Sequence, residues 1–238
     1  MKPGPDPNFP YLGIDDYISF PNPEEWKGDI IAIGGNLSPG MLLSAYEQGI
    51  FPWYGPNDPV IWQSPDPRCL IFPDSLHISS SMQKIIKKCV YDITFNKDFA
   101  GVINGCAEVF RPDQAGTWIS NDIIQAYIEL HRLGFAHSVE AWKDGVLAGG
   151  CYGVLMGMVF IGESMFSKES NASKAALIGL AKKLFENGVA FIDCQVPTDH
   201  LASLGGETIP RSDFLELLQL CEISRTQAGV DDLAMPAF

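Results

Sequence analysis

The chain has 238 residues, of which 46% are hydrophobic and 19% are charged. This composition excludes a disordered protein, and the length allows one large domain or two smaller ones. The formal net charge of −13 argues against broad, non-specific binding of nucleic acid. It leaves room for a local basic patch that holds one nucleic-acid end.

Targeting and metal-binding signals are lacking in the sequence. No apolar run reaches the roughly 20 residues that span a bilayer, and the first residues hold no signal-peptide core. We therefore expect a soluble, cytoplasmic protein with no membrane association. The six cysteines form no CxxC pair, and the four histidines are widely spaced. This pattern favours reduced thiols over a disulfide framework, and we expect no metal.

The first quarter of the chain predicts a small α+β unit. Residues 30–33 are an apolar strand that stops at two glycines, and a helix follows with Pro39 in its first turn and Asn36 or Ser38 as its cap. A rigid aromatic loop covers residues 50–56. Prolines then cluster before the sequence changes character at Cys69, which predicts a boundary. We predict an N-terminal domain at residues 1–66 and a second domain at 67–238.

In the second domain, the sequence predicts alternating helices and strands and, after them, a meander of three strands. Turn signals at Asp144-Gly145 and Met156-Gly157 divide residues 137–162 into three strands. The other predicted elements are strands at 70–72 and 91–95, helices at 79–88, 98–110 and 120–133, a loop at 111–116, and a last helix around Phe214.

Residues 160–196 predict a strand–helix–strand unit with polar groups in an apolar setting. Gly162 breaks the first strand, so that Glu163 is expected at its end; Ser170 or Asn171 caps the helix, which Asn187-Gly188 stops. In the second strand, a period of two puts Asp193 and Gln195 on one face. A buried carboxylate and carboxamide are costly without partners.

From spacing alone, each of these features has a second interpretation. Asp193 and Gln195 could be a strand-end pair bonded to loop backbone, and Glu163 could cap the following segment. Trp53 and Trp118 could be half-buried core aromatics. Three lysines at helical spacing form a stripe that could be only a solvated helix face: Lys84, Lys87 and Lys88.

Several sequence blocks together resemble the leucyl/phenylalanyl-tRNA–protein transferase family. The resemblance covers roughly residues 31–214. Its blocks are IAIGGNLSPGMLLSAYEQGIFPWY, SPDPR, GTWI, GESMFS, NASKAAL, IDCQV, and SLGG with IPR. It implies a small N-terminal α+β domain followed by a domain of the GCN5-related acyltransferase fold, whose helix, three-strand meander, helix and strand occur here in that order. It implies no cofactor, neither metal nor coenzyme A. Residues 167–172 indeed lack the glycine-rich cradle that a pyrophosphate prefers.

The resemblance implies transfer of leucine or phenylalanine, and methionine less well, from aminoacyl-tRNA to proteins that begin with arginine or lysine. This marks the acceptor for N-end-rule degradation. Asp193 and Gln195 match the family's catalytic pair, and Glu163 matches the acid of GESMFS. Our hypothesis is that Gln195 holds the acceptor amine and Asp193 orients Gln195 and favours loss of the proton. Glu163 would join Asp193 in an anionic site for the acceptor terminus.

The donor side of the site also follows from the resemblance. Trp53 and Trp118 match the aromatics that hold the 3′-terminal adenosine, and the three lysines match a basic helix on the acceptor stem. The matching positions of the donor side-chain pocket are Cys151, Phe160, Met165, Leu177, Leu180 and Ile192. Better-known members have Met and Phe where this chain has Cys151 and Leu180, and often a second Trp where it has Gln63. The ranking of Leu, Phe and Met therefore stays open.

Two other functions remain in competition. The first is an acyl-CoA N-acyltransferase on the same fold, and the second is a non-catalytic protein that binds tRNA ends. We expect a monomer, since nothing in the sequence demands an interface.

Overall fold

The computed structural model describes residues 4–109, 118–221 and 223–225. The strands form a three-stranded sheet and a seven-stranded sheet. The small sheet contains β1 (Ile30–Ile33), β2 (Phe51–Pro52) and β3 (Ile61–Gln63) in the order β1-β3-β2. The strands of the large sheet are β4 (Arg68–Ile71), β5 (Asp92–Phe95), β6 (Ala136–Lys143), β7 (Val146–Met156), β8 (Val159–Ser167), β9 (Phe191–Gln195) and β10 (Glu207–Ile209). Their order across the sheet is β10-β4-β9-β8-β7-β6-β5.

The helices confirm the mixed α/β class predicted from the sequence. A 3₁₀ helix covers Pro23–Glu25. The α-helices are α1 (Pro39–Glu47), α2 (Ser80–Lys87), α3 (Phe99–Glu108), α4 (Asn121–Arg132), α5 (Ala172–Glu186), α6 (Asp199–Ala202) and α7 (Arg211–Leu220). The expected order of helix, three-strand meander, helix and strand is present as α4, β6 to β8, α5 and β9. The predicted loop at 111–116 and the first two residues of the GTWI block lie outside the described residues.

Hydrophobic cores cover both faces of the large sheet. Alternate residues of β7 belong to different cores: Tyr152 and Val154 to one, Cys151 and Leu155 to the other. This is the period of two expected for a strand buried on both sides. Helices α2 and α5 pack in the second core, whereas α3, α4 and the N-terminal part share the first. The small sheet is therefore joined to the large one by a continuous apolar core.

The change from the small to the large sheet falls in the proline-rich segment between Gln63 and Arg68. Arg211, in the IPR block, ties the two parts together across this segment. Its guanidinium donates to the carbonyl oxygens of Ser64 at 2.6 Å and Trp26 at 2.6 Å. The domain boundary after residue 66 stays a prediction.

The prediction that the strand ends at Gly162 is wrong. β8 continues to Ser167, because its antiparallel pairing with β7 continues past the glycine. The pairing shifts register between Tyr152 and Gly153, opposite Gly162, so the glycine lies at a bulge in a continuing strand. Glu163 consequently lies in the middle of β8. The parallel pairing of β8 with β9 then sets Ile161 opposite Asp193.

The predicted helix caps are confirmed in position at α1 and α5 but not in mechanism. Ser38 and Asn171 occupy the N-cap positions, yet neither side chain makes a capping bond. At α5 the hydroxyl of Ser167 accepts from the backbone N–H of Ser173 at 3.1 Å instead. The end of α5 at Asn187 and Gly188 is confirmed, with Gly188 at φ 85°.

Candidate active site

A cavity of about 580 Å³ lies between the N-terminal part and the large sheet. A volume of this size suits a small organic group. All six side chains predicted for the donor pocket line it: Cys151, Phe160, Met165, Leu177, Leu180 and Ile192. Trp53, in the loop after β2, and Trp118, just before α4, also line the cavity and are half-buried.

The apolar wall of the cavity is built where α5 crosses β7, β8 and β9. Residues of α5 three apart, Leu177 and Leu180, face the same side, and Phe160 and Ile192 are paired across β8 and β9. Burial raises the pKa of the Cys151 thiol, so that this side chain is a neutral part of the wall.

Asp193 is held by a buried arginine that the sequence reasoning did not assign. Arg68 donates from Nε to Oδ1 at 2.8 Å and from Nη2 to Oδ2 at 2.6 Å. Both residues are 1% exposed. The guanidinium lies over the rings of Phe51 and Phe214, at 4.9 and 4.3 Å from their centres, and also donates to the carbonyl oxygen of Gly49. Arg68 belongs to the quoted SPDPR block, and the need of a buried carboxylate for a cationic partner was the signal that could have found it.

Asp193 does not line the cavity, whereas Gln195 does. The backbone N–H of Gln195 donates to Oδ1 of Asp193 at 2.9 Å. The backbone of Gln195 has φ 63°. A residue other than glycine adopts this left-handed conformation only where the surrounding structure enforces it. Asp193 thus orients Gln195 through the main chain, and the carboxamide is turned towards Glu163, where Nε2 donates to Oε1 at 3.2 Å.

Glu163 lines the cavity and is surrounded by two buried tyrosines. Tyr46 of α1 donates to Oε1 and Tyr127 of α4 donates to Oε2, each at 2.8 Å. The two tyrosine hydroxyls also contact each other. Burial raises the pKa of Glu163 from 4.5 to about 7, although the tyrosine hydrogen bonds act in the opposite direction. Sequence reasoning missed both tyrosines because they look like ordinary apolar positions of helices.

His200 of α6 is a further lining residue that the sequence did not single out. Its Nε2 is buried and has no hydrogen-bond partner among the described residues. Burial and, to a smaller degree, Lys174 lower the pKa of His200, which favours the neutral imidazole.

The three predicted lysines lie apart from the cavity. Lys84, Lys87 and Lys88 are exposed at the end of α2, and none lines the cavity. Helix α2 packs with α5 in the second core through the buried Met82. The helix that carries the basic stripe therefore packs against the helix that forms the cavity wall.

Within the described ranges, no group of three or more His, Cys, Asp or Glu side chains could hold a metal ion. No helix in the described part of the chain is long and apolar enough to cross a membrane.

Comparison with known proteins identifies the family to which the chain belongs. The family model described as Leucyl/phenylalanyl-tRNA protein transferase matches residues 70–219, and the model of that family's N-terminal domain matches residues 35–66. The chain belongs to the leucyl/phenylalanyl-tRNA–protein transferase family. The family predicted from the sequence blocks is thereby confirmed. The chain is an aminoacyltransferase that takes aminoacyl-tRNA and protein as its substrates.

Individual relatives agree with the family match. The leucyl/phenylalanyl-tRNA–protein transferase of Desulforapulum autotrophicum is 49% identical over 207 residues, which are 87% of this chain and 90% of the relative. The protein of the same description from Shigella dysenteriae is 48% identical over 211 residues, covering 87% of this chain and 89% of the relative.

Among solved structures, a GCN5-related N-acetyltransferase from Kribbella flavida is similar at a TM-score of 0.36 and 13% identity. The match covers 73% of this chain and 61% of that chain. A similarity this low carries no argument about function or about the fold.

Proposed function

We propose that the chain transfers leucine or phenylalanine, and methionine less well, from aminoacyl-tRNA to proteins whose first residue is arginine or lysine. This marks the acceptors for N-end-rule degradation in the cytoplasm, and the enzyme acts as a monomer. The observation that carries the proposal is one apolar cavity with Glu163 and Gln195 on the same wall. Such a cavity holds a hydrophobic donor side chain beside groups that can meet an amine.

The donor aminoacyl group enters the apolar part of the cavity. Leu177, Leu180 and Phe160 surround its side chain, and branched or aromatic groups without charge bury well against them. The terminal adenosine stacks on Trp53 and Trp118, which are half-buried at the cavity wall. Base–aromatic stacking is worth about 1–3 kcal/mol per base.

The acceptor amine is held by Gln195 next to the ester carbon of the donor. Aminolysis of an activated ester requires mainly that the amine be oriented and deprotonated. Asp193 fixes the backbone of Gln195, and Arg68 balances the charge of Asp193. The anionic group for the acceptor terminus is then Glu163 in its ionised form, rather than the pair of acids.

Transfer of radiolabelled leucine from charged tRNA to a peptide beginning with arginine tests the proposal. A matched peptide beginning with alanine should stay unlabelled. Charged tRNA that binds without any transfer of label to the peptide would favour a tRNA-end binding protein. Labelling from a coenzyme A thioester instead of tRNA would favour the acyl-CoA reaction.

A further inference from the structure

We infer that Glu163 takes the proton from the α-ammonium group of the acceptor, and that Tyr46 and Tyr127 form with it a ring of hydrogen bonds that closes when this proton arrives. The inference rests on the proposed function, because it names the base of that reaction. It makes Glu163 a catalytic residue and the two tyrosines positioning residues.

The other groups near the cavity are unsuited to receive the proton. Asp193 has both oxygens engaged by Arg68, accepts a third bond from the Gln195 backbone and does not line the cavity. The carboxamide of Gln195 is not a base. Among the described residues that line the cavity, Glu163 is the sole carboxylate, and the remaining basic group is His200.

A count of protons supports the ring. Three oxygen–oxygen contacts join Tyr46 to Oε1 of Glu163, Tyr127 to Oε2, and Tyr46 to Tyr127. Two phenol groups supply two protons, so one contact lacks a proton while Glu163 is ionised. A third proton on the carboxyl group completes the set, with Glu163 donating to Tyr46, Tyr46 to Tyr127, and Tyr127 to the second carboxyl oxygen. A carboxyl group that has received the proton therefore leaves none of the three contacts without a hydrogen.

The charged and titratable groups around the carboxyl make it a base of suitable strength. Tyr46 of α1 and Tyr127 of α4 contact it, Tyr152 of β7 packs edge-on against Tyr127, and the charges of Asp193 on β9 and Arg68 on β4 act on it with opposite sign. With its pKa raised to about 7, Glu163 is half ionised at neutral pH. A free α-ammonium group has a pKa of about 8, so the proton transfer is nearly balanced.

The chemical step conserves protons as follows. One proton passes from the ammonium to Glu163, and the freed nitrogen lone pair forms the C–N bond with the ester carbon. The bond from that carbon to the ribose oxygen breaks, and the second amine proton goes to the ribose oxygen. The proton on Glu163 then leaves to solvent, which restores the base.

The test compares wild type with Glu163→Gln in peptide transfer at saturating charged tRNA, from about pH 6 to about pH 8.5. Gln is an isostere of the neutral acid, so its carboxamide can take the place of the protonated carboxyl group in the closed ring. The wild-type kcat/KM for the peptide should level off near pH 7. The variant should be about 100-fold slower at pH 6 and should keep rising, about tenfold per pH unit, until the free amine predominates near pH 8. Its deficit therefore shrinks above pH 7.

Further variants separate the possible causes. Glu169→Gln, on the exposed partner of Lys143, should follow the wild-type profile. Tyr127→Phe removes a hydrogen-bond donor that lowers the pKa of Glu163. The plateau of its kcat/KM profile should therefore begin at a higher pH than that of wild type. A deficit of Glu163→Gln that stays constant at every pH would overturn the inference, as would the same alkaline recovery in His200→Asn. If wild type transferred no leucine at all, the proposed function itself would fail.

Discussion

Arg68 and Asp193 form a fully buried, two-bonded ion pair between β4 and the middle of β9, 125 residues apart in the sequence. Parallel guanidinium–carboxylate bonds fix direction as well as charge. Since one oxygen of Asp193 also accepts the Gln195 backbone N–H, the pair sets the left-handed turn that points Gln195 into the cavity. Asp193 therefore contacts Gln195 through the backbone N–H, while both of its oxygens are bonded to Arg68.

Replacing one partner should therefore be costly. We expect Arg68→Met to lower the free energy of unfolding by about 3–5 kcal/mol, because it leaves Asp193 buried without a counter-charge. Urea denaturation followed by circular dichroism measures this. The double variant Arg68→Met, Asp193→Leu should recover most of the loss, since no buried charge then remains. A loss below about 1 kcal/mol in the single variant would mean that the pair behaves like an exposed one.

Glu163 should make the folded state less stable as the pH rises. Its carboxyl ionises near 4.5 in the unfolded chain and near 7 in the folded protein, so the unfolded state loses its proton first. Stability contributed by the neutral acid is complete below pH 4.5, falls as the pH rises to 7 and stays low above it. Glu163→Gln lacks this titration. Its advantage in unfolding free energy over wild type should grow by about 3 kcal/mol across that window.

Chemical denaturation at several pH values from about 4.5 to about 8 measures this difference. Glu169→Gln is the matched control, because its exposed side chain should leave the pH dependence unchanged. A difference between Glu163→Gln and wild type that did not vary with pH would contradict the raised pKa.

Local patterns were enough to predict most elements but not how sheet pairing would extend them. The turn at Asn187 and Gly188 is a property of neighbouring residues and was predicted correctly. Phe191 and Ile192 lie in different cores, as the alternation in β9 predicts, but Gln195 at the end of the strand lines the cavity and Asp193 does not. The end of β8 was not predicted correctly, because Gly162 is a strand breaker by local preference, whereas the neighbouring strand β7 continues to pair with β8. Tertiary pairing overrides such a preference.

The same distinction between local pattern and tertiary contact applies to the residues of the candidate site. Glu163 and Gln195 could be selected from the sequence, because polar side chains in apolar strands require partners. The partners themselves come from far along the chain: Tyr46 lies 117 residues from Glu163. Nothing in the local pattern of α1 or α4 distinguishes a tyrosine that faces a carboxyl group from one that only fills the core.

The size of the donor pocket should depend on Leu180. Leu180→Ala enlarges the cavity that this side chain lines and should raise the ratio of phenylalanine to leucine transfer about tenfold, a typical effect of a few methylene groups. Competition between the two charged tRNAs measures the ratio. Leu184→Ala is the control, since Leu184 lies one helical turn later in the same core without lining the cavity. Both variants should lose about 2–5 kcal/mol of stability, so an equal change of ratio in both would refute a specific role of Leu180.

The exposed lysines of α2 should carry the salt dependence of tRNA binding. A chain with a net charge of −13 repels nucleic acid except where cations are concentrated, and Lys84, Lys87 and Lys88 are close together in the chain and exposed. Changing all three to Gln should weaken tRNA binding. It should also lower the slope of log Kd against log salt concentration by about 1 for each phosphate that the protein no longer neutralises. Filter binding at several salt concentrations measures the slope.

Two lysines outside this stripe provide the comparison. Lys27→Gln and Lys143→Gln remove exposed charges elsewhere on the surface and should leave the slope nearly unchanged, although each lowers the net charge by the same amount as one stripe lysine. If all five lysines flattened the slope equally per charge, the tRNA would sense only the total charge of the protein. A slope unchanged by the triple variant would leave the stripe as a solvated surface and move the phosphate contacts to another part of the chain.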